Sequence, residues 1–180
     1  MAACTIIQFP NPKLREKSSE IDATSNEAVL LTKNLEDTLL VNGGLGLAAP
    51  QIGVAKRVIS ILRSPVFADL TMPGAGIIFT LYNPRITEFS KEKSKEKEAC
   101  LSINLGAENV TRAKKIIVEF QMLDGSWSSR CVSDYAAAII QHEIDHLDGL
   151  LYIDRLSNAT KEMALQKFRK NQKKELRTIG

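Results

Sequence analysis

The sequence predicts a single mixed domain that contains both helices and strands, with two of the strands in an antiparallel hairpin. Three observations point to this class: an apolar helical segment in the second half of the chain, four strand-like segments of which two flank a tight turn, and a polar helical segment at the C-terminus. The chain has 180 residues, of which 44% are hydrophobic and 25% charged, as in an ordinary globular domain. We therefore expect residues 1–180 to form one domain.

A first helix is predicted over residues 26–40. Thr24 and Glu27 have the spacing of a capping box, and Gly43 and Gly44 are natural helix stops. The apolar residues of this segment recur at helical spacing: Ala28, Leu31, Leu35 and Leu39.

Strand-like composition is found in four segments, which are residues 57–62, 77–82, 116–122 and 126–132. Asp124 and Gly125 lie between the last two segments and favour an antiparallel hairpin. The mixed-charge run at residues 91–98 is typical of a solvated segment, and it leads directly into Cys100. A C-terminal helix is predicted from Asn158 onward, with a thin apolar stripe of Met163, Ala164 and Phe168.

The central helix is predicted to begin at Ser133 or Asp134 and to end at Gly149. It is apolar on nearly all sides, through Ala136, Ala137, Ala138, Ile139, Ile140, Ile144 and Leu147. A helix of this kind is usually buried in the middle of a domain.

The two histidines of the chain lie on this helix in an H-E-x-x-H pattern. His142 and His146 are four residues apart, so both imidazoles can reach one metal ion from the same helix face. Glu143 lies beside them, where it can accept a proton from a water molecule used in hydrolysis. Two core histidines would be the alternative, but that accounts for neither the spacing nor the glutamate.

A third metal ligand is needed, and the residues alone leave several candidates. The metzincin pattern would place a third histidine at position 152, which is Tyr152. A zinc endopeptidase could instead take Glu162 or Glu175 from a later helix. The remaining candidates are the three cysteines, of which Cys100 has the most specific setting: Cys4, Cys100 and Cys131.

Residues 44–53 contain two glycines at a spacing of two, followed by small residues. This pattern predicts a backbone that another group approaches closely. A dinucleotide-binding loop is disfavoured, because the third glycine is missing and the run follows a helix. A tight turn into a strand is the other alternative, but Gln51 is polar within an apolar run and must find hydrogen-bond partners.

The chain resembles the peptide deformylase family in three motifs that occur in order. G-x-G-x-A-A-x-Q matches residues 44–51, and Q-H-E-x-D-H matches residues 141–146. E-G-C-L-S matches residues 98–102, except that Ala99 replaces the glycine. The resemblance extends from near the N-terminus to Leu156. It implies an α+β fold in which antiparallel β-sheets wrap around a central metal-binding helix.

The resemblance also implies an activity, which is the hydrolysis of the N-formyl group from the formyl-methionine of newly made polypeptides. It implies Cys100, His142 and His146 as the ligands of one divalent metal ion, with Fe²⁺ as the native ion and Zn²⁺, Ni²⁺ or Co²⁺ as substitutes. The catalytic residues implied are Glu143 for proton transfer, and the Gln51 side chain with the Leu101 backbone N–H as donors to the formyl oxygen.

The substrate implied is an extended formyl-methionyl peptide that pairs like an added strand. Its contacts would be Leu45, Gly46 and Ala99. The methionine side chain would enter an apolar pocket, for which Ile139 is a candidate lining residue, although a plain core role is an equal alternative.

Partners and compartment are constrained by charge and cysteine content. Residues 161–180 carry seven basic and two acidic side chains, a net charge of +5 that suits attraction to ribosomal RNA; a solvated helix is the alternative. Three cysteines without close spacing favour a reducing compartment. No apolar run suggests a membrane span or a leader peptide.

We therefore expect a cytoplasmic, bacterial-type hydrolase without DNA or membrane partners, and leave an organellar or viral origin open. The alternative functions are an H-E-x-x-H zinc endopeptidase and an inactive ribosome-binding protein.

Overall fold

The computed structural model of the protein describes residues 3–62 and 77–178, with side chains up to Lys170. Three α-helices are present in these residues: α1, Asn26–Asn42; α2, Asp134–Leu147; and α3, Asn158–Thr178. Seven strands are also present: β1, Gly46–Ala48; β2, Val58–Leu62; β3, Ile78–Phe89; β4, Lys93–Cys100; β5, Ile103–Ala113; β6, Lys115–Gln121; and β7, Trp127–Ser133. Short 3-10 turns cover Pro12–Arg15, Ala49–Ile52 and Tyr152–Arg155.

The strands form two antiparallel sheets that confirm the predicted fold class. One sheet has five strands in the order β1-β2-β3-β6-β7, and the other is the pair β4-β5. Helix α2 contacts strands of both sheets. Its apolar residues share a core with the inner face of the five-stranded sheet, including Ile59, Val118, Phe120 and Ile140. The antiparallel sheets therefore surround the central helix.

Helix α1 confirms the predicted helix but not its cap. Ser25 is the N-cap residue, and its side chain accepts a hydrogen bond from the Ala28 N–H. Thr24, which the sequence favours as the cap, instead donates its N–H and hydroxyl to Asp22 Oδ1. The helix ends at Gly43, which has a φ of 69°, a left-handed conformation that glycine adopts without a steric penalty.

The predicted hairpin is formed by β6 and β7, with Gly125 in its turn at a φ of 80°. Three strands, β1, β4 and β5, were not among the predicted strand segments. The charged run does present its lysines to solvent, but its backbone pairs with β5 over most of its length. The exposed lysines made β4 look like a solvated segment. Its strand conformation depends on pairing with β5, which follows it in the chain.

Helix α3 begins at the predicted Asn158, but its apolar stripe differs from the prediction. Ala164 is buried and Phe168 packs edge-to-face on Phe9, with ring centroids 5.3 Å apart. Met163 was assigned to this stripe wrongly, since it is 66% exposed. Leu165 packs against the core instead. None of the helices within the described ranges has both the length and the apolar character that a membrane crossing requires.

Candidate metal centre and substrate cleft

The centre of the site is the second half of helix α2, where every residue from Gln141 to Leu147 is buried. The helix follows Ser133, has Asp134 in its first turn, and is followed by Gly149 at a φ of 73°. His142 and His146 lie on one face of it, with ring centroids 5.1 Å apart. The local sequence therefore places the two imidazoles side by side inside the domain.

Cys100 reaches the two histidines from the end of strand β4. Its Sγ lies 3.2 Å from His146 Nε2. One potential ligand atom from each of Cys100, His142 and His146 lies within 4.8 Å of the others. The structure therefore brings together the three residues predicted as metal ligands.

The donor set fits a divalent transition-metal ion, because one thiolate and two imidazoles are common ligands of Zn²⁺ and Fe²⁺. Burial lowers the pKa of His146 well below its usual value, and the neighbouring charges of His142 and Arg112 lower it further. Metal binding requires the neutral form of imidazole, and a lowered pKa favours that form. Three protein ligands leave a coordination position open, as in catalytic sites.

A buried network of charged side chains contacts the Nδ1 side of His142. Its Nδ1 lies 2.8 Å from Glu98 Oε2, and Glu98 Oε1 accepts a hydrogen bond of 2.7 Å from Arg112 Nε. Arg112 also donates to Asp145, which accepts from Arg155. Burial alone would raise the pKa of Glu98, but hydrogen bonds with Arg112 and His142 outweigh it and lower the pKa.

This network was not predicted from the sequence. Glu98 and Asp145 occur within the recognised motifs, so their positions were a usable signal. Arg112 had no local signal, because it lies on β5, a strand that was not predicted. Tyr152 was also missed: its ring stacks on His142 at a centroid distance of 6.1 Å, and its hydroxyl donates to the Gly106 carbonyl.

Glu143 lies beside the metal-ligand cluster and is not one of its members. Its side chain is buried, and within the described part of the chain Oε2 has no hydrogen-bond partner. Burial raises its pKa to about 7, a value suited to proton transfer near neutral pH. A Cβ at Gly46 would lie 2.5 Å from Glu143 Oε1. Glycine at this position therefore lets strand β1 pass directly over the carboxyl group.

Gln51 is held in one orientation at the edge of the cluster. Its Oε1 accepts a hydrogen bond of 2.8 Å from the Ala48 N–H, so Nε2 faces the other way. Nε2 lies 3.1 Å from Ser102 Oγ and 3.5 Å from Cys100 Sγ. The amide therefore has the partners that its burial requires, and Ser102 is a positioning residue that was not predicted from the sequence.

A cleft of about 310 Å³ opens over the cluster. Strands β1 and β4 lie along it, and each is the end strand of its sheet. The lining includes the predicted metal ligands Cys100 and His142 together with Glu143, and also the other predicted site residues: Leu45, Gly46, Gln51, Ala99, Leu101 and Ile139. Ile139 lines the cleft and also belongs to the hydrophobic core.

Ala99 lies at the edge of this cleft in strand β4. It is exposed, and its φ is not positive, since Asn83 and Asp134 are the non-glycine residues with positive φ in the described ranges. The conformation of position 99 is therefore one that alanine adopts without strain.

The alternative third ligands lie elsewhere. Glu162 is exposed on α3, where it pairs with Arg169 at 3.4 Å. Cys131 is exposed on β7. Cys4 lies next to helix α1, where its N–H donates to the Thr38 hydroxyl. The side chain of Glu175 lies outside the described residues.

Comparison with known proteins supports one interpretation of this site. The sequence profile described as Polypeptide deformylase matches residues 3–162. A peptide deformylase of Desulforudis audaxviator is 37% identical over 161 residues, covering 89% of this chain and 98% of that protein. The corresponding protein of Thermomicrobium roseum is 39% identical over 158 residues and covers 88% of each chain.

Solved structures agree with the sequence relatives. The crystal structure of peptide deformylase from Ehrlichia chaffeensis has a TM-score of 0.84 and 30% identity, covering 97% of this chain and 99% of that one. A class I type b peptide deformylase from Acinetobacter baumannii, bound to Met-Ala-Ser, has a TM-score of 0.76 and 30% identity. The match covers 86% of this chain and 99% of that one. The chain therefore belongs to the polypeptide deformylase family, metal-dependent hydrolases that remove the N-formyl group from newly made polypeptides.

Proposed function

We propose that this chain hydrolyses formyl-methionyl peptides at the Cys100, His142 and His146 cluster, with Glu143 as the proton carrier. The observation that carries the assignment is the cluster of Cys100, His142 and His146, next to a cleft that Cys100, His142 and Glu143 line. Water adds to the formyl carbon and the carbon–nitrogen bond breaks. The products are formate and a peptide whose methionine has a free amino group. A divalent ion on the three ligands would supply Lewis acidity, which lowers the pKa of water and polarises the formyl carbonyl.

The proposed role of Glu143 is to move one proton. Its carboxylate takes a proton from the attacking water and later delivers it to the amine that departs. Its separation from the ligand cluster and its free Oε2 suit this role. The close passage of Gly46 shields the carboxyl group from bulk solvent.

The proposed role of Gln51 and Leu101 is to stabilise the developing oxyanion. The formyl oxygen gains negative charge as its carbon becomes tetrahedral, and the Gln51 Nε2 and Leu101 backbone N–H donate to it. A preorganised donor of this kind typically contributes about 3 kcal/mol to lowering the barrier. The hydrogen bonds to Ala48 and Ser102 preorganise Gln51, because they fix which amide atom faces the cleft.

The proposed substrate is an extended peptide that lies between strands β1 and β4. The free edges of both strands border the cleft, so a peptide there can add hydrogen bonds to Leu45, Gly46 and Ala99. The methionine side chain would occupy the apolar end of the cleft beside Ile139. The deformylase of Acinetobacter baumannii that binds Met-Ala-Ser supports this class of ligand.

One experiment tests this function directly. The purified protein should release formate from formyl-Met-Ala-Ser, and Glu143→Gln should lower kcat by about 10²–10⁴-fold while keeping its metal. Glu162→Gln, which changes an exposed carboxylate on α3, is the matched control and should remain active. An active Glu143→Gln enzyme would reject the assigned role, and the absence of formate release by the metal-loaded protein would reject the function.

We further propose Fe²⁺ as the native ion. Intrinsic affinity would favour Zn²⁺ over Fe²⁺ at such a site, so the ion bound in the cell depends on supply as well as ligands. Metal analysis and activity of protein purified without oxygen should show iron, with greater activity than the zinc form. Equal activity of the two forms would remove the reason for preferring iron.

Action in the cytoplasm, near ribosomes, is also proposed. Free cysteines at positions 4, 100 and 131 suit a reducing compartment, and the relatives compared are bacterial.

We also assign residues 1–180 to one domain. The basic segment, residues 161–180, belongs to the C-terminal helix, and Ala164 and Phe168 of that segment pack on the core.

Ribosome association can be tested by shortening the chain. Truncation after Thr160 would also remove the packed Ala164 and Phe168, so truncation after Lys170 is the cleaner change. It removes three basic residues and one acidic residue. The shortened protein should show weaker, salt-sensitive cosedimentation with ribosomes and unchanged hydrolysis of a short peptide. Unchanged cosedimentation would reject a role for this segment.

A further inference from the structure

A second cavity lies against helix α2, on a different side of the helix from the substrate cleft. It has a volume of about 380 Å³, and within the described part of the chain it shares no lining residue with the cleft. Gln141, Ile144 and Asp145 line it from α2, whereas His142 and Glu143 line the cleft. Small-molecule sites usually have volumes of about 300–1,000 Å³. The proposed hydrolysis does not use this second cavity.

Cations outnumber carboxylates in the lining of the second cavity. The lining carboxylates are Asp145 and Asp148, and five cations line the cavity with them: Arg57, Arg85, Lys93, Arg112 and Arg155. Both carboxylates already pair with arginines of the lining. Outside the lining, Glu98 pairs with Arg112 and Glu119 pairs with Arg85, so five cations stand against four carboxylates. A concave surface with surplus positive charge attracts anions.

Several N–H donors of this cavity remain available to an anion. Lys93 is exposed and forms no ion pair with any residue whose side chain the structure describes. Arg155 donates to Asp145 through Nε and Nη2, which leaves its Nη1 without a recorded acceptor among the described residues. A phosphate group carries negative charge on several oxygens, so it can accept from an ammonium and a guanidinium at the same time.

The rest of the lining is partly apolar. Ile86, Phe89 and Ile144 contribute to it, and Phe89 is 58% exposed. An exposed aromatic ring beside cations suits a ligand that has both a flat ring and a phosphate, because nucleobases stack on aromatic side chains. The lining therefore favours a phosphate attached to a nucleoside over a bare phosphate ion.

We propose that the second cavity binds a nucleoside phosphate, with the phosphate at Lys93 and Arg155 and the base on Phe89. A free nucleotide and a nucleotide within RNA carry the same groups, so either is a source of this ligand. The buried Arg112, which supports Glu98, is not assigned to the ligand. This inference goes beyond the proposed hydrolysis and does not depend on it.

Titration calorimetry on the full-length, metal-loaded protein tests the two halves of the site with AMP, ribose 5-phosphate and adenosine. AMP should bind most tightly of the three. Lys93→Glu should weaken AMP and ribose 5-phosphate by about fivefold or more, because it replaces an attraction with a repulsion. Phe89→Ala should weaken AMP by about 5–150-fold, the usual effect of removing a stacked ring, and should leave ribose 5-phosphate unchanged.

Lys95→Glu is the matched control. It makes the same charge change two residues farther along β4, at a residue outside the cavity lining. It should keep the affinity of the wild-type protein for AMP. Equal losses in Lys93→Glu and Lys95→Glu would overturn the proposal in favour of a general surface field. Unchanged AMP binding in Lys93→Glu would also overturn it.

Hydrolysis of formyl-Met-Ala-Ser separates the second cavity from the metal centre. AMP should leave the KM for this peptide unchanged, since the two cavities lie on different sides of α2. Competition between AMP and the peptide would place the nucleotide in the substrate cleft and overturn the proposal.

A pentamer of adenylate distinguishes the two sources of the ligand. Tighter binding of the pentamer than of AMP, with the same dependence on Lys93, identifies RNA. Tighter binding of AMP identifies a free nucleotide. The absence of binding by AMP at about 10 mM and by the pentamer at about 1 mM, both in the range where only the weakest ligands bind, would overturn the proposal.

Discussion

The Nδ1 atom of His142 lies 2.8 Å from Glu98 Oε2, and both side chains are buried. This contact leaves Nε2 as the imidazole atom available to a metal ion. Arg112 holds the same carboxylate through two further hydrogen bonds of 2.7 Å and 3.0 Å. The orientation of a proposed metal ligand on helix α2 is therefore set by Glu98 of strand β4, which in turn is held by a buried arginine.

Glu98→Gln should weaken metal binding. The amide keeps the shape of the side chain but removes the negative charge that orients His142 and compensates Arg112. Loss of such a supporting partner typically costs about 10–100-fold in metal affinity. Competition with a chelator measures this affinity, and Glu96→Gln on the same strand is the control. Equal metal affinity in the two variants would contradict the assigned role of Glu98.

Cys100→Ala should remove most bound metal and essentially all activity, because two histidines remain as the only ligands in the cluster. Cys131→Ala changes an exposed cysteine on β7 and should leave metal content unchanged. Metal content per chain, determined by elemental analysis, decides the outcome. Full metal occupancy in Cys100→Ala would instead favour a glutamate as the third ligand, and therefore the zinc endopeptidase alternative.

Gln51→Ala should lower kcat by about 10²–10³-fold and leave KM comparatively steady, since its amide donates mainly to the charge that develops in the transition state. Gln166→Ala, at an exposed glutamine on α3, should leave both constants unchanged. Steady-state kinetics with one formylated peptide measures both effects. A large change in KM with an unchanged kcat would show that Gln51 binds substrate and does not stabilise the transition state.

Ala99→Gly should change KM, or the preference for the residue after methionine, by about tenfold, which is the usual effect of one methyl group in a binding contact. Metal content and kcat should remain nearly constant. The φ of position 99 is not positive, so glycine there would relieve no backbone strain. Kinetics on peptides that vary at the second residue provide the measurement. A change in metal retention without a change in substrate preference would instead place the effect at Cys100.

Asp154→Asn should lower the free energy of unfolding at neutral pH by about 1–2 kcal/mol. Burial alone would raise the pKa of Asp154, but hydrogen bonds from Arg15 and Lys161 outweigh it and lower the pKa to about 2. Lowering a pKa by one corresponds to about 1.4 kcal/mol of stabilisation, and solvent screening of the partly exposed partners reduces the total.

The sign of this effect determines its pH dependence. A carboxyl group with a depressed pKa in the folded state stabilises the protein above its unfolded value of about 4, and the stabilisation is lost as pH falls toward 2. Urea unfolding at pH 7, 5, 4 and 3 should therefore show a difference from wild type that is constant above about pH 5 and then shrinks. Glu162→Gln is the control, and a difference that grows at low pH would contradict the ion-pair origin.

Much of the site could be predicted from local sequence. The spacing of His142 and His146 places two imidazoles on one helix face whatever the rest of the chain does, because the helical repeat is set by the backbone. The apolar residues around them predict burial in the same way. The motif that contains Gly46 predicts a close backbone approach, but not that Glu143 is the group it approaches.

Strands β4 and β5 show where local prediction fails. Strand β4 consists mainly of alternating lysine and glutamate, residues with little intrinsic preference for strands. Its backbone becomes ordered because it pairs with β5, and that pairing joins residues as far apart in sequence as Lys93 and Ala113. Such pairing depends on the partner strand, so composition alone could not show it.

Local sequence is enough to specify the buried helix that carries His142, Glu143 and His146, and the close backbone approach at Gly46, since each depends on residues close together in the chain. The three-dimensional packing was needed to show that Cys100 lies with the two histidines and that Arg112 holds Glu98 against His142. These relationships join residues of β4 to residues on β5 or α2 that are distant in sequence. They arise from packing two sheets around one helix, and no local pattern encodes that arrangement.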